Sequence, residues 1–144
     1  MFFFKEKRMK VLIVEDQEFP LEYMSEVLVG QGAVCTVAKW YSQAESMICS
    51  EERYDIVFLD HRMPLTDPGC TDKSDFDRFC DQLHNIGYRL VALICEHQPQ
   101  AVIVGTSSLQ LDEIQASGCI PPDRRIDKTN PWDDIPRVLR ELEM

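Results

Sequence analysis

The sequence predicts an α/β domain: a five-stranded parallel sheet with helices on both faces. Short, continuous, β-branched apolar runs recur, such as Val11-Leu12-Ile13-Val14 and Ala101-Val102-Ile103-Val104, as expected of strands buried on both sides. Stretches with apolar residues at helical spacing separate these runs. The runs also end alike, in carboxylates or hydroxyls: Glu15-Asp16, Asp60 and Thr106-Ser107. A chain of 144 residues with 44% apolar content suffices for the core of one domain.

In chain order, Val11 to Val14 is the first strand. A helix follows, with Pro20 near its first turn and Leu21, Met24, Val27 and Leu28 on one side; Gly30 and Gly32 end it. Ala33 to Ala38 reads as the second strand. Ser42 is placed to cap a short helix containing Ala44, Met47 and Ile48. Asp55 to Asp60 is the third strand. The fourth is Ala101 to Gly105, followed by a helix through Leu111 and Ile114 to Gly118. A short fifth strand falls within Asp123 to Lys128, after the loop prolines Pro121 and Pro122. The last helix carries Ile135, Val138, Leu139 and Leu142, with Asn130 or Asp133 as cap and Pro136 in its first turn.

The rhythm breaks after Asp60, where forty residues precede Ala101, more than one crossover helix and two short loops need. Pro64 to Ser74 reads as loop, with Pro68-Gly69 as a turn. Phe76, Phe79 and Leu83 mark a helical turn or two, Gly87 interrupts, and Leu90, Leu93 and Ile94 mark a second helical piece. The organisation expected is a tail over 1–8 and one domain over 9–144, with an extended segment around 65–90.

A net charge of −10 opposes direct contact with nucleic acid. Six cysteines lie scattered without a C-x-x-C pair or a compact Cys/His cluster, which argues against zinc and for reduced thiols in a cytoplasmic protein. The start, Met1-Phe2-Phe3-Phe4 followed by charges, is too short to span a membrane and lacks a signal-peptide core. It reads as a frayed tail or as a small sticky patch that packs on a neighbour.

In a parallel sheet the strand ends that carry Glu15-Asp16, Asp60 and Thr106 share one edge, where ligands bind, and Lys128 follows the fifth strand. Carboxylates that close repel one another and raise one another's pKa values. Mg²⁺, a hard cation that takes oxygen ligands, relieves this and leaves an ionised Asp able to attack phosphorus. Thr106 then offers a hydroxyl donor and Lys128 an ammonium to phosphoryl oxygens. Taken singly, the acids also suit a helix cap or a strand-end turn, and Lys128 a solvated surface position. His61 neighbours Asp60, but strand alternation turns it away from the pocket. His84 and His97 read as surface residues, and Trp40 and Trp132 as partial core or interface.

Together, Val11–Asp16, Asp55–Pro64, Val102–Ser107 and Ile126–Lys128 resemble the receiver domain of two-component response regulators. The resemblance covers about residues 9–143. It implies a flavodoxin-like fold with strand order 2-1-3-4-5. It implies that Asp60 is the phosphoacceptor, Asp16 a direct Mg²⁺ ligand and Glu15 its water-mediated neighbour. The backbone carbonyl of Arg62 would be a further ligand, with Thr106 and Lys128 meeting the phosphoryl group. The phosphodonor would be a sensor histidine kinase or phosphotransfer protein.

Two departures stand out: Thr129 occupies the position of the family's proline, and Arg125 that of its switch aromatic. The last helix runs to the end of the sequence, so the expectation is a stand-alone receiver, a signalling domain rather than an enzyme. It would act through an unknown downstream protein, with contacts at the fourth and fifth helices and the strand between them, and a homodimer is possible. A degenerate receiver that binds a partner without phosphorylation is the alternative. A small Mg²⁺-dependent phosphohydrolase is a further one, although His61-Arg62 supplies no second acid.

Overall fold

The computed structural model describes residues 8–67 and 83–143. Its elements run β1 (Lys10–Val14), α1 (Glu18–Gly30), β2 (Val34–Ala38), α2 (Tyr41–Ile48), β3 (Ile56–Leu59), β4 (Arg62–Pro64) and β5 (Leu83–Asn85). A 3₁₀ turn (Gly87–Arg89) leads into α3 (Leu90–His97). Then follow β6 (Val102–Gly105), α4 (Leu111–Ala116), β7 (Arg124–Arg125) and α5 (Pro131–Glu143). Five strands form a parallel sheet in the order β2-β1-β3-β6-β7. Counted within that sheet alone, this is the order 2-1-3-4-5.

Alternation along the strands divides the core between two faces. Leu12, Val14, Val57, Leu59 and Ile103 pack with Ala44 and Ile48 of α2, Leu90, Val91 and Ile94 of α3, and Ile114 of α4. Val11, Ile13, Ile56, Phe58 and Val104 pack with Leu21, Met24 and Leu28 of α1 and Ile135, Val138 and Leu139 of α5. Most are fully buried, and each such side chain contributes about 1.5–3 kcal/mol of burial energy. Covering both faces is why β1, β3 and β6 are unbroken apolar runs rather than alternating ones.

The segment after Asp60 departs from expectation. Leu83 belongs not to a helix but to β5, which pairs antiparallel with β4 through Arg62↔Asn85, Met63↔His84 and Pro64↔Leu83. Pro64, read as loop, is therefore a strand residue at the edge of a two-stranded ribbon, where proline is tolerated. The Pro68-Gly69 turn and the helical turns of Phe76 and Phe79 lie outside the described residues, as do positions 1–7 of the tail. The helix beginning near Leu90 is present as α3.

Two caps differ. The cap position of α2 is Trp40, and Ser42 lies inside the helix, its N–H donating to the Leu65 carbonyl at 3.0 Å. α5 begins at Pro131, a residue pre-set for the first helical position. Pro136 consequently sits in the second turn, not the first. Trp132 is 53% exposed and tilts against Tyr23 of α1, ring centroids 5.2 Å apart. Among the described residues no helix is long and apolar enough to cross a membrane.

Candidate functional site

Register builds the site. Val14 pairs with Leu59 and Leu59 with Gly105, so the next residues of three adjacent strands, Glu15, Asp60 and Thr106, fall in one row. The ladder continues into that row: Asp60 N–H donates to Val14 O at 3.1 Å and Thr106 N–H to Leu59 O at 3.0 Å. All three are buried, as is Asp16. Carboxylate oxygens of Glu15, Asp16 and Asp60 lie within 4.8 Å of one another.

Lys128 closes the row. Its Nζ donates to Glu15 Oε1 at 2.9 Å and to Asp60 Oδ2 at 3.1 Å. The loop that carries it is tied locally. Asp127 Oδ1 accepts the Thr129 N–H at 2.9 Å and the Thr129 hydroxyl at 2.5 Å. These two bonds, the hydroxyl's first, hold the Asp127 carboxyl below its usual range. Thr129 thus anchors a side-chain turn at the position where receivers carry proline, and no cis peptide bond occurs among the described residues.

Burial, and after it the neighbouring Asp60, pushes Glu15 up to about 7, against the pull of Lys128. The same two causes raise Asp16. Burial works against the Lys128 charge, but Asp60 and then Glu15 outweigh it and the net direction is up. One ammonium does not offset three carboxylates. Asp16 Oδ2 is buried and finds no hydrogen-bond donor among the described residues, and neither does Thr106 Oγ1. A buried carboxylate oxygen without a partner is costly. Three converging acids with one such orphan oxygen are the donor set that a hard divalent cation takes; the residues present fit Mg²⁺.

A cavity of about 760 Å³ opens from this row, lined by Asp60, Thr106, Lys128, Arg62 and Arg125 among others. Arg62 stands at the start of β4 with its residue exposed. His61 is buried and stacked on Tyr88 at 4.6 Å, and its Nδ1 accepts the Tyr88 N–H at 2.9 Å. Burial lowers its pKa, so the imidazole is neutral. Asp60 Oδ1 instead accepts the backbone N–H of His61 at 2.8 Å. His84 is exposed and His97 half-exposed.

Sequence reasoning missed Tyr88. It is the largest fully buried side chain among the described residues, and its hydroxyl oxygen accepts the Ser107 N–H at 3.2 Å. Its nearest sequence signal is Gly87, read only as a helix breaker. A Cβ at Gly87 would lie 1.8 Å from the Asp60 carbonyl oxygen, so this turn packs directly on the chain at the end of β3. Arg125 Nη2 donates to the carbonyls of Ser107, at 3.2 Å, and Leu109.

This arrangement is the fold of response-regulator receiver domains, a flavodoxin-like α/β fold. Compared by sequence, the chain matches no protein-family model and no curated protein. Compared by structure, it is similar to a CheY-like receiver domain protein from Methanospirillum hungatei JF-1, with a TM-score of 0.67 and 16% identity over 95% of each chain. The receiver domain of an HD domain-containing protein from Pseudomonas fluorescens Pf-5 gives 0.65 and 22%, over 95% of this chain and 94% of that one. A response regulator from Burkholderia pseudomallei, crystallised with a phosphorylated aspartic acid, calcium ion and citrate, gives 0.64 and 17%. That match covers 91% of this chain but 64% of the Burkholderia one. At these identities the likeness is one of fold.

Proposed function

We propose that the chain is a phosphoacceptor response regulator of a two-component phosphorelay. In this reading Asp60 takes a phosphoryl group from a sensor histidine kinase or phosphotransfer protein, and the phosphorylated domain signals by contact with a downstream protein in the cytoplasm. The reading rests on one observation: Lys128 bridges Glu15 and Asp60 beside the buried oxygens of Asp16 and Thr106 that find no partner among the described residues.

An Asp60 carboxylate oxygen attacks phosphorus. The P–O bond forms as the donor's P–N bond breaks, and the imidazole leaves with its electron pair and picks up a proton. Asp16 and Asp60, with Glu15 through water and the Arg62 carbonyl, would hold Mg²⁺, which would supply positive charge against the carboxylates and the incoming oxygens. Lys128 keeps its ammonium at Asp60 throughout, and the Thr106 hydroxyl has a free proton to donate.

Incubation with acetyl phosphate and Mg²⁺, followed by intact-mass measurement, tests this. Wild-type protein gains one phosphoryl group; Asp60→Asn gains none and keeps its circular dichroism. Uptake by the variant at the wild-type rate refutes the assignment. Arg125 and Thr129 favour a second reading, a receiver that binds its partner without phosphorylation, and an unlabelled wild type that still engages a partner would support it.

A further inference from the structure

The peptide after Thr106 is gripped from both sides by residues that the phosphoacceptor reading leaves unused. The Thr106 N–H is fixed in the sheet ladder by Leu59 O. The next N–H, that of Ser107, ends on the Tyr88 hydroxyl oxygen at 3.2 Å. The Ser107 carbonyl then accepts from the Arg125 guanidinium at 3.2 Å, which also reaches the Leu109 carbonyl. The backbone on both sides of the Thr106 Cα is therefore pinned, one side by the sheet and the other by Tyr88. Its hydroxyl is 4% exposed by residue, has no hydrogen-bond partner among the described residues and lines the cavity with Asp60.

Tyr88 is itself held rigidly. Its N–H donates to His61 Nδ1 and its ring stacks on that imidazole. Across from it, a Cβ at Gly105 would come within 2.5 Å of the Tyr88 hydroxyl, so the absence of a side chain at Gly105 makes room for the grip. Burial raises the Tyr88 pKa, so the hydroxyl stays neutral. The part of the chain that returns after the long segment thus joins the strand end of Asp60 to the strand end of Thr106.

We infer that Tyr88 and Arg125 are positioning residues for phosphoryl acceptance, clamping the Ser107 peptide so that the Thr106 hydroxyl faces the group arriving at Asp60. This rests on the phosphoacceptor reading. It is tested by the rate of label uptake from acetyl phosphate with Mg²⁺ in Tyr88→Phe and Arg125→Met, each also combined with Thr106→Val and with Thr106→Ser.

Each single variant slows uptake about five- to tenfold, the effect of losing one aligning hydrogen bond. In the Thr106→Val background neither substitution slows it further; in Thr106→Ser, which keeps a hydroxyl, the slowing returns. Wild-type rates in both single variants overturn the inference, and so does an equal slowing with and without the Thr106 hydroxyl, which marks a merely structural role. A wild type that takes no label overturns the phosphoacceptor reading and this inference together. Label on the wild type with unaffected variants overturns this inference alone.

Discussion

The Glu15 carboxyl makes the metal-free domain sensitive to pH in a way that can be isolated by Glu15→Gln. Burial and Asp60 lift this group from its ordinary 4.5 to about 7 in the folded protein, while the unfolded chain keeps the ordinary value. The native state then holds a proton that the unfolded state has released, and stability falls as pH rises from about 4.5 through 7. At about 1.4 kcal/mol for each tenfold in proton affinity, the full loss is roughly 3 kcal/mol. His61, whose pKa is lowered by burial, works in the opposite sense but is common to both proteins. Urea unfolding in EDTA at pH 5 and pH 8 gives the comparison. The wild-type stability, taken relative to Glu15→Gln, should drop by roughly 2–3 kcal/mol between those values, part of the full loss having already occurred at pH 5. Saturating Mg²⁺, which favours the ionised carboxylates, should shrink the drop. A relative stability that stays flat or rises with pH would refute the claim that desolvation dominates at Glu15.

Mg²⁺ at ten times its dissociation constant should stabilise the wild type by about 1.4 kcal/mol and Asp16→Asn by clearly less, read as the shift in urea midpoint. Gly87→Ala places a methyl 1.8 Å from the Asp60 carbonyl oxygen and 2.7 Å from Met63 Cε; the forced backbone shift should cost about 2–4 kcal/mol in the same assay. Gln98 is fully buried and ties the Tyr54 N–H to the carbonyls of Ile48 and Glu52. Gln98→Ala should cost about 2–3 kcal/mol through those stranded groups, with label uptake on Asp60 retained.

How much of this was legible depended on whether a residue's environment repeats along the chain. β1, β3 and β6 are flanked on both faces, so their positions read as unbroken apolar runs, and the acids at their ends could be aligned before any register was known. β7 has two residues, both arginine, and it holds its place by edge pairing with Gly105 rather than by an apolar pattern. β4 and β5 are three residues each, too short for any periodicity, so Leu83 was drawn into a helical pattern and Pro64 into a loop. Thr129 was registered as a missing proline, although the Asp127-x-Thr129 spacing is itself a turn signature. Tyr88 was invisible for a different reason. Its contacts, His61 and Ser107, are distant in sequence, and a buried tyrosine in an apolar stretch looks like ordinary core.

The ribbon formed by β4 and β5 brings Pro64 and Leu83 side by side. The chain before and after the 65–82 stretch is therefore held together at a single doorway. Closing a longer excursion through such a doorway adds only about 0.6 kcal/mol for each doubling of length. The chain can accordingly grow or shrink there without moving Asp60. An inserted recognition sequence would find a ready-made port at this point, and a short engineered turn could seal it.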